Sequence, residues 1–148
     1  MKLSKNLSLN EVIKSNTAIK KGIDNSPTQE HLESLKLLAE NIFQPIRGHF
    51  GVPIGISSGY RSEALNRIIG GSSTSQHCKA EALDLDADIY GKITNKQIFD
   101  FIKDNLDFDQ LINEFDYSWI HVSYKKEGNR KQILKAYKLN GKTKYGQI

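Results

Sequence analysis

A chain of 148 residues, 38% hydrophobic and 26% charged, has the size and balance of one globular domain with a core of its own. Its single cysteine, Cys78, excludes an internal disulfide, and no apolar run is long enough to span a bilayer. The formal net charge of +4 leaves anionic partners open. Only Tyr124, Tyr137 and Tyr145 interleave with the C-terminal lysines, however, so those lysines read as a solvated face and not as a nucleic-acid surface.

Ser8-Leu9-Asn10-Glu11 is a capping box that opens a brief helix ending before Gly22. Ser26-Pro27-Thr28-Gln29 is a second helix start, with Ser26 at the cap, Pro27 at the first helical position and Gln29 three residues after the cap. Leu32, Leu35, Leu38, Ala39, Ile42 and Ile46 follow at helical spacing and make this the main helix. Pro45 should kink it or begin a new turn, and Gly48 or Gly51 should end it. His31 and His49 read as surface residues. Val52 to Ile56 is a short strand, and Ser62 caps a helix through Leu65, Ile68 and Ile69 that stops at Gly70-Gly71.

From Ala82 to Ile89 the residues alternate: Leu83, Leu85, Ala87 and Ile89 point one way, Asp84, Asp86 and Asp88 the other. That is the period of a strand with one buried face. Thr94-Asn95-Lys96-Gln97 is another capping box, opening a helix with Ile98, Phe99, Phe101 and Ile102. Gln110 to Phe115 and the segment from Trp119 read as strands joined by a tight turn near Asp116-Tyr117-Ser118. Gln132 to Tyr137 has strand character, and Asn140-Gly141 is a hairpin signal. The order predicts an α+β fold over residues 1–148: a small antiparallel sheet with helices packed on one side.

In the Trp119 strand, Trp119, His121 and Ser123 share one face. If this strand and the Asp84 strand lie in one sheet, Asp84 and His121 project together, and His77 reaches them from the preceding loop. Two imidazoles and one carboxylate converging in this way form a zinc site with its fourth position open to water. Cys78 is the alternative soft ligand, but neighbouring residues diverge, so it reads as a small buried thiol.

Three segments together are also familiar. Ser75-x-His77, six further residues and Asp84, then Trp119-x-His121, with Ser58-Gly59-Tyr60-Arg61-Ser62 upstream, resemble the zinc D-Ala-D-Ala carboxypeptidases and related peptidoglycan peptidases of the Hedgehog/DD-peptidase fold. Gly22-Ile23-Asp24-Asn25 before Pro27 resembles their small single-domain, phage-associated branch, and the likeness runs from about Leu9 to about Leu134. It implies the same α+β fold and a Zn²⁺-dependent hydrolase cutting peptidoglycan stem peptides, at D-Ala-D-Ala, at L-Ala-D-Glu or in a cross-bridge. The other reading is a catalytically silent metal-binding component of a phage particle.

The resemblance gives Arg61 substrate binding or transition-state charge, the alternative being a salt bridge with Glu63 or Asp86. Ser75 either hydrogen-bonds the substrate or orients His77, and Asp86 could orient a ligand. The reaction also needs a carboxylate to move a proton. Glu114 fills that role if the turn pairs it with Trp119; a register shifted by one residue would turn it away and leave Asp116. The first eight residues contain no apolar signal core. The expectation is therefore a monomer made in the cytoplasm, with no nucleic-acid or membrane contact, that acts on a cell wall if a holin or virion delivers it.

Overall fold

The computed structural model describes Met1–Ile148, and in it the two motif-bearing segments are neighbouring strands of one sheet. β1 (Lys2–Ser4) and β2 (Leu7–Ser8) form a small N-terminal hairpin. The strands β3 (Ile56–Ser58), β4 (Ala82–Leu85), β5 (Gln110–Glu114), β6 (Trp119–Ser123), β7 (Gln132–Leu139) and β8 (Lys142–Gln147) form a six-stranded sheet in the order β3-β4-β6-β5-β7-β8. Around it lie α1 (Leu9–Ile13), α2 (Asn16–Lys21), α3 (Gln29–Leu38), α4 (Gln44–Phe50), α5 (Glu63–Ile68) and α6 (Asn95–Asn105). No helix is long and apolar enough to cross a membrane.

The fold is α+β, as expected, but the sheet is mixed: β5 and β7 run parallel, from Gln110↔Gln132 to Glu114↔Ala136. Both edges of β6 are already taken by β4 and β5, and the returning chain joins at the free edge of β5. The chain leaves β6 at Ser123, beside the start of β5, where Asp109 N donates to Ser123 O at 2.8 Å. It crosses over and begins β7 at that same end, which forces the parallel direction. Asn140 and Gly141, at φ +52° and +76°, then make the tight turn into β8 that their sequence predicts.

One face of the sheet is dry. Leu83 and Leu85 of β4, Leu111 of β5, and Ile120 and Val122 of β6 share a core with Leu35 and Leu38 of α3, Ile46 of α4, and Ile98 and Ile102 of α6. Burying such side chains stabilises the fold by about 1.5–3 kcal/mol each before chain entropy is subtracted. The opposite face of β4, β6 and β5 carries Asp84, His121 and Glu114 beside Ile112 and Trp119.

Local signals set most helix starts. The Thr94 hydroxyl accepts from Gln97 N at 3.1 Å, and Gln97 Oε1 accepts from Thr94 N at 2.8 Å, closing the box ahead of α6. The cap of α3 is Thr28, not Ser26. Thr28 Oγ1 accepts from His31 N, while Thr28 N donates to His31 Nδ1, so His31 is a capping residue whose ring also lies 4.8 Å from that of Tyr60. Ser26 N is instead engaged by Asp24 Oδ1. Pro45 has no N–H, and the helix absorbs that loss in a π turn over Ala39–Phe43 before α4 begins. The expected helix before Gly22 divides into α1 and α2, and the strand placed at Val52–Ile56 is instead Ile56–Ser58.

β4 also ends earlier than its alternation suggests. After Leu85, Asp86 caps a 3-10 turn over Ala87–Ile89, and Ile89 is exposed. Asn95 locks this corner: its side-chain oxygen accepts from Ala87 N at 2.7 Å, and its amide donates to Asp86 Oδ1, Tyr117 O and Ser118 O. The residue is 4% exposed and ties the end of β4 to the loop between β5 and β6. Asn95→Ala would leave the buried Ala87 N and the half-buried Asp86 carboxylate and Tyr117 carbonyl without this partner, and should destabilise the protein by roughly 2–4 kcal/mol in urea melts. A change below about 0.5 kcal/mol would show that the corner does not need this side chain.

Candidate metal centre

The register of the sheet assembles the site. Asp84 pairs with His121 across β4 and β6, His121 with Ile112 across β6 and β5, and Glu114 with Trp119 one step along. Paired residues project to the same face, so Asp84, His121 and Glu114 rise together from the open side. The loop from β5 to β6 contains Phe115, Asp116 and Tyr117 with φ between +50° and +62°, and Ser118 N donates to Glu114 O at 2.9 Å. The connection is thus four residues long, not a two-residue turn at Asp116-Tyr117. Both lengths leave Glu114 opposite Trp119. Asp116 is exposed at the loop tip, away from the cleft.

His77 arrives from the loop before β4 and is 3% exposed. Its Nδ1 lies 2.7 Å from Gly59 O, and its Nε2 lies 3.3 Å from Asp84 Oδ2. The other Asp84 oxygen is 3.1 Å from His121 Nδ1. Ligand-type atoms of His77, Asp84 and His121 all lie within 4.8 Å of one another, close enough to hold one ion. The hydrogen bonds support that fit. A carbonyl oxygen can only accept, so in a neutral His77 the hydrogen sits on Nδ1 and Nε2 presents a lone pair to the Asp84 carboxylate. Two acceptors face each other there, an arrangement that a cation between them relieves.

Gly59 explains part of the Ser58-Gly59-Tyr60-Arg61-Ser62 segment. A Cβ built on it would collide with Val12 O, so only glycine lets α1 pack this close while its own carbonyl orients His77. Asn25 fastens the same junction, donating to Ile13 O at 2.7 Å and accepting from Ser62 N at 2.7 Å. Arg61 has no carboxylate partner: its Nη2 donates to Ser75 Oγ at 3.2 Å, and its Nε is buried without one. The salt bridge to Glu63 or Asp86 does not form. Ser75 Oγ also accepts from His77 N at 3.2 Å. Asp86 serves the Asn95 corner and orients no ligand, and Cys78 lies outside the cluster.

Burial raises the Asp84 carboxyl, but the adjoining His121 and His77 imidazoles more than reverse it and hold it well below the usual carboxylate range. Glu114 goes the other way. Burial, only partly offset by His121 and reinforced by the Asp84 charge, raises it to about 6. Both carboxyls line one cleft of about 890 Å³, together with Arg61, Ser75 and Trp119.

The sequence model of a protein family described as Peptidase M15 matches residues 5–123. The chain belongs to the peptidase M15 family. No curated protein matches it. The segment matched to the M15 family ends with β6, so β7 and β8 lie beyond it. They nevertheless complete the cleft of this M15 chain: Leu134 pairs with Ile112 and Gln147 with Leu134, while Ala136 pairs with Glu114 and Tyr145 with Ala136. Leu134, Tyr145 and Gln147 form its far wall. The sequence reading missed that wall, and also Gln76, whose Oε1 lies 3.0 Å from His121 Nε2. Its place between Ser75 and His77 was the available signal.

Proposed function

We propose that this M15 chain is a zinc-dependent peptidase that hydrolyses peptide bonds in peptidoglycan stem peptides, acting as a monomer. His77, Asp84 and His121 are the proposed ligands, Glu114 the general base, and Arg61 and Ser75 the substrate contacts. The observation that carries the reading is the convergence of two imidazoles and an ionised carboxylate beside a second, proton-accepting carboxyl in one cleft. The resemblance to the peptidoglycan peptidases supplies the substrate class, and its phage-associated branch supplies the setting of a lysis or virion enzyme.

A zinc ion bound by these residues supplies a Lewis acid that acidifies water and polarises a carbonyl. Glu114, raised to about 6, is ionised near neutral pH yet basic enough to accept a proton. It takes the proton from water as the water oxygen bonds to the scissile carbonyl carbon. It then delivers that proton to the amide nitrogen as the C–N bond breaks. Arg61, which lines the cleft and has no carboxylate partner, offers its guanidinium to a substrate carboxylate or to the developing oxyanion. Ser75 already accepts from Arg61 and His77, so its own O–H remains to donate to substrate.

Purified peptidoglycan digested with and without a chelator, followed by mass analysis of the new termini, tests the reading. Chelator-sensitive release is expected, and the new termini identify the bond. Stoichiometric zinc with no released product would favour the catalytically silent module. Arg61→Ala should lower turnover by the equivalent of about 2–4 kcal/mol while zinc content stays at the parent level. Normal turnover with a lower melting temperature would make Arg61 a structural residue.

A further inference from the structure

Gln76 bridges two groups that sequence spacing does not connect. Its Oε1 faces His121 Nε2 at 3.0 Å, and its Nε2 lies 3.0 Å from Asp109 Oδ2. Asp109 is wholly buried and accepts from Arg130 three times, at 2.9 Å from Nε, 2.9 Å from Nη2 and 3.2 Å from the backbone N. Those bonds hold its carboxyl below the ordinary carboxylate value, so it is ionised and can only accept. The amide orientation of Gln76 follows: its NH₂ must face Asp109 and its carbonyl must face His121. That carbonyl in turn only accepts, so His121 carries its hydrogen on Nε2. In the neutral ring the lone pair is then on Nδ1, the atom 3.1 Å from Asp84 Oδ1.

We propose that Gln76 and Asp109 are positioning residues that set the tautomer of His121, making Nδ1 its metal-binding nitrogen, with Arg130 as the anchor of the chain. His77 is oriented differently, by a backbone carbonyl at Nδ1, so the two imidazoles offer opposite nitrogens to the ion. Arg130 lies beyond the segment matched to the family, in the connection that starts β7, so the C-terminal extension reaches the site through this chain. The inference rests on the reading that His77, Asp84 and His121 take a metal ion.

The test uses the full chain, ¹⁵N-labelled and metal-free at pH 8, with long-range ¹H–¹⁵N NMR of the imidazoles. Zinc affinity is measured separately by chelator competition. In the parent, His121 should show hydrogen on Nε2. In Gln76→Met, which keeps the bulk and removes the acceptor, both tautomers should appear and zinc should bind about 10–100-fold more weakly. The metal-free variant should melt close to the parent. Asp109→Asn frees the Gln76 amide to turn over and should also weaken zinc. Adding Gln76→Glu to it restores the order of donors, with Asn donating to Glu and Glu accepting from His121, and should recover affinity. Hydrogen on Nδ1 in the parent, or parent-like tautomer and affinity in Gln76→Met, would overturn the proposal. None of these readings needs a substrate, so an inactive but zinc-binding protein would defeat the peptidase reading and leave this one standing.

Discussion

Glu114→Gln should lose hydrolysis by at least ~100-fold, keep its zinc and, once metal-free, melt higher than the metal-free parent above pH 6. The first two effects follow from general-base loss at a residue outside the ligand cluster. The third follows from linkage. Burial raises the folded Glu114 carboxyl from its ordinary 4.5 to about 6, so the folded state binds that proton more tightly than the unfolded state. Stability therefore falls as pH rises from about 4.5 to about 6, and above that the full cost of a buried charge is carried. The difference corresponds to roughly 1–2 kcal/mol, which the neutral amide does not incur. Metal-free parent and variant should melt alike near pH 4 and diverge at pH 7–8. Asp116→Asn, at the exposed loop tip, should behave as the parent in every respect. If Asp116→Asn is inactive while Glu114→Gln hydrolyses normally, the base has been misassigned.

Asp84→Ala, His77→Ala and His121→Ala should each lose stoichiometric zinc, with hydrolysis reduced by at least ~10³-fold, about 4 kcal/mol of lost charge stabilisation. Any variant that keeps zinc at parent affinity removes its residue from the ligand set. Zinc at a hundred times its dissociation constant should add about 2.7 kcal/mol to the stability of the parent, so a chelator should lower its melting temperature by roughly 5–10 °C. Asp84 adds a pH signature to the metal-free protein. Its carboxyl is depressed in the folded state, so its contribution is present above the ordinary 3.8 and is lost as pH falls toward the folded value. The stability gap between parent and Asp84→Ala should accordingly narrow as pH falls below 4.

Features that depend on residues a few positions apart were legible in the chain itself. The Thr94/Gln97 box, the Ser62 cap and the Asn140-Gly141 turn are local hydrogen-bond and dihedral choices, and each forms where its residues predict. The same holds for the alternation that puts Asp84 and His121 on the polar side of their strands, because a pleated strand with one dry face leaves its side chains only two directions. The Glu114 register was legible only conditionally, since two-residue and four-residue loops give the same parity while a three-residue turn reverses it.

Competition between neighbours already exceeds what local pattern resolves. Ser26 and Thr28 both offer a capping hydroxyl, and the choice fell to Thr28 because His31 closes a reciprocal bond with it while Asp24 engages Ser26. The direction of β7 lies further out of reach. It depends on which sheet edge the returning chain joins and from which end, a property of the assembled strands and of no residue within β7. The Gln76–Asp109–Arg130 chain is of the same kind, joining residues separated by 33 and 21 positions. Such pairs carry no periodicity, so the residue types of the candidate site could be read from the sequence, whereas the tertiary structure alone decided which nitrogen of His121 faces Asp84 and which wall closes the cleft.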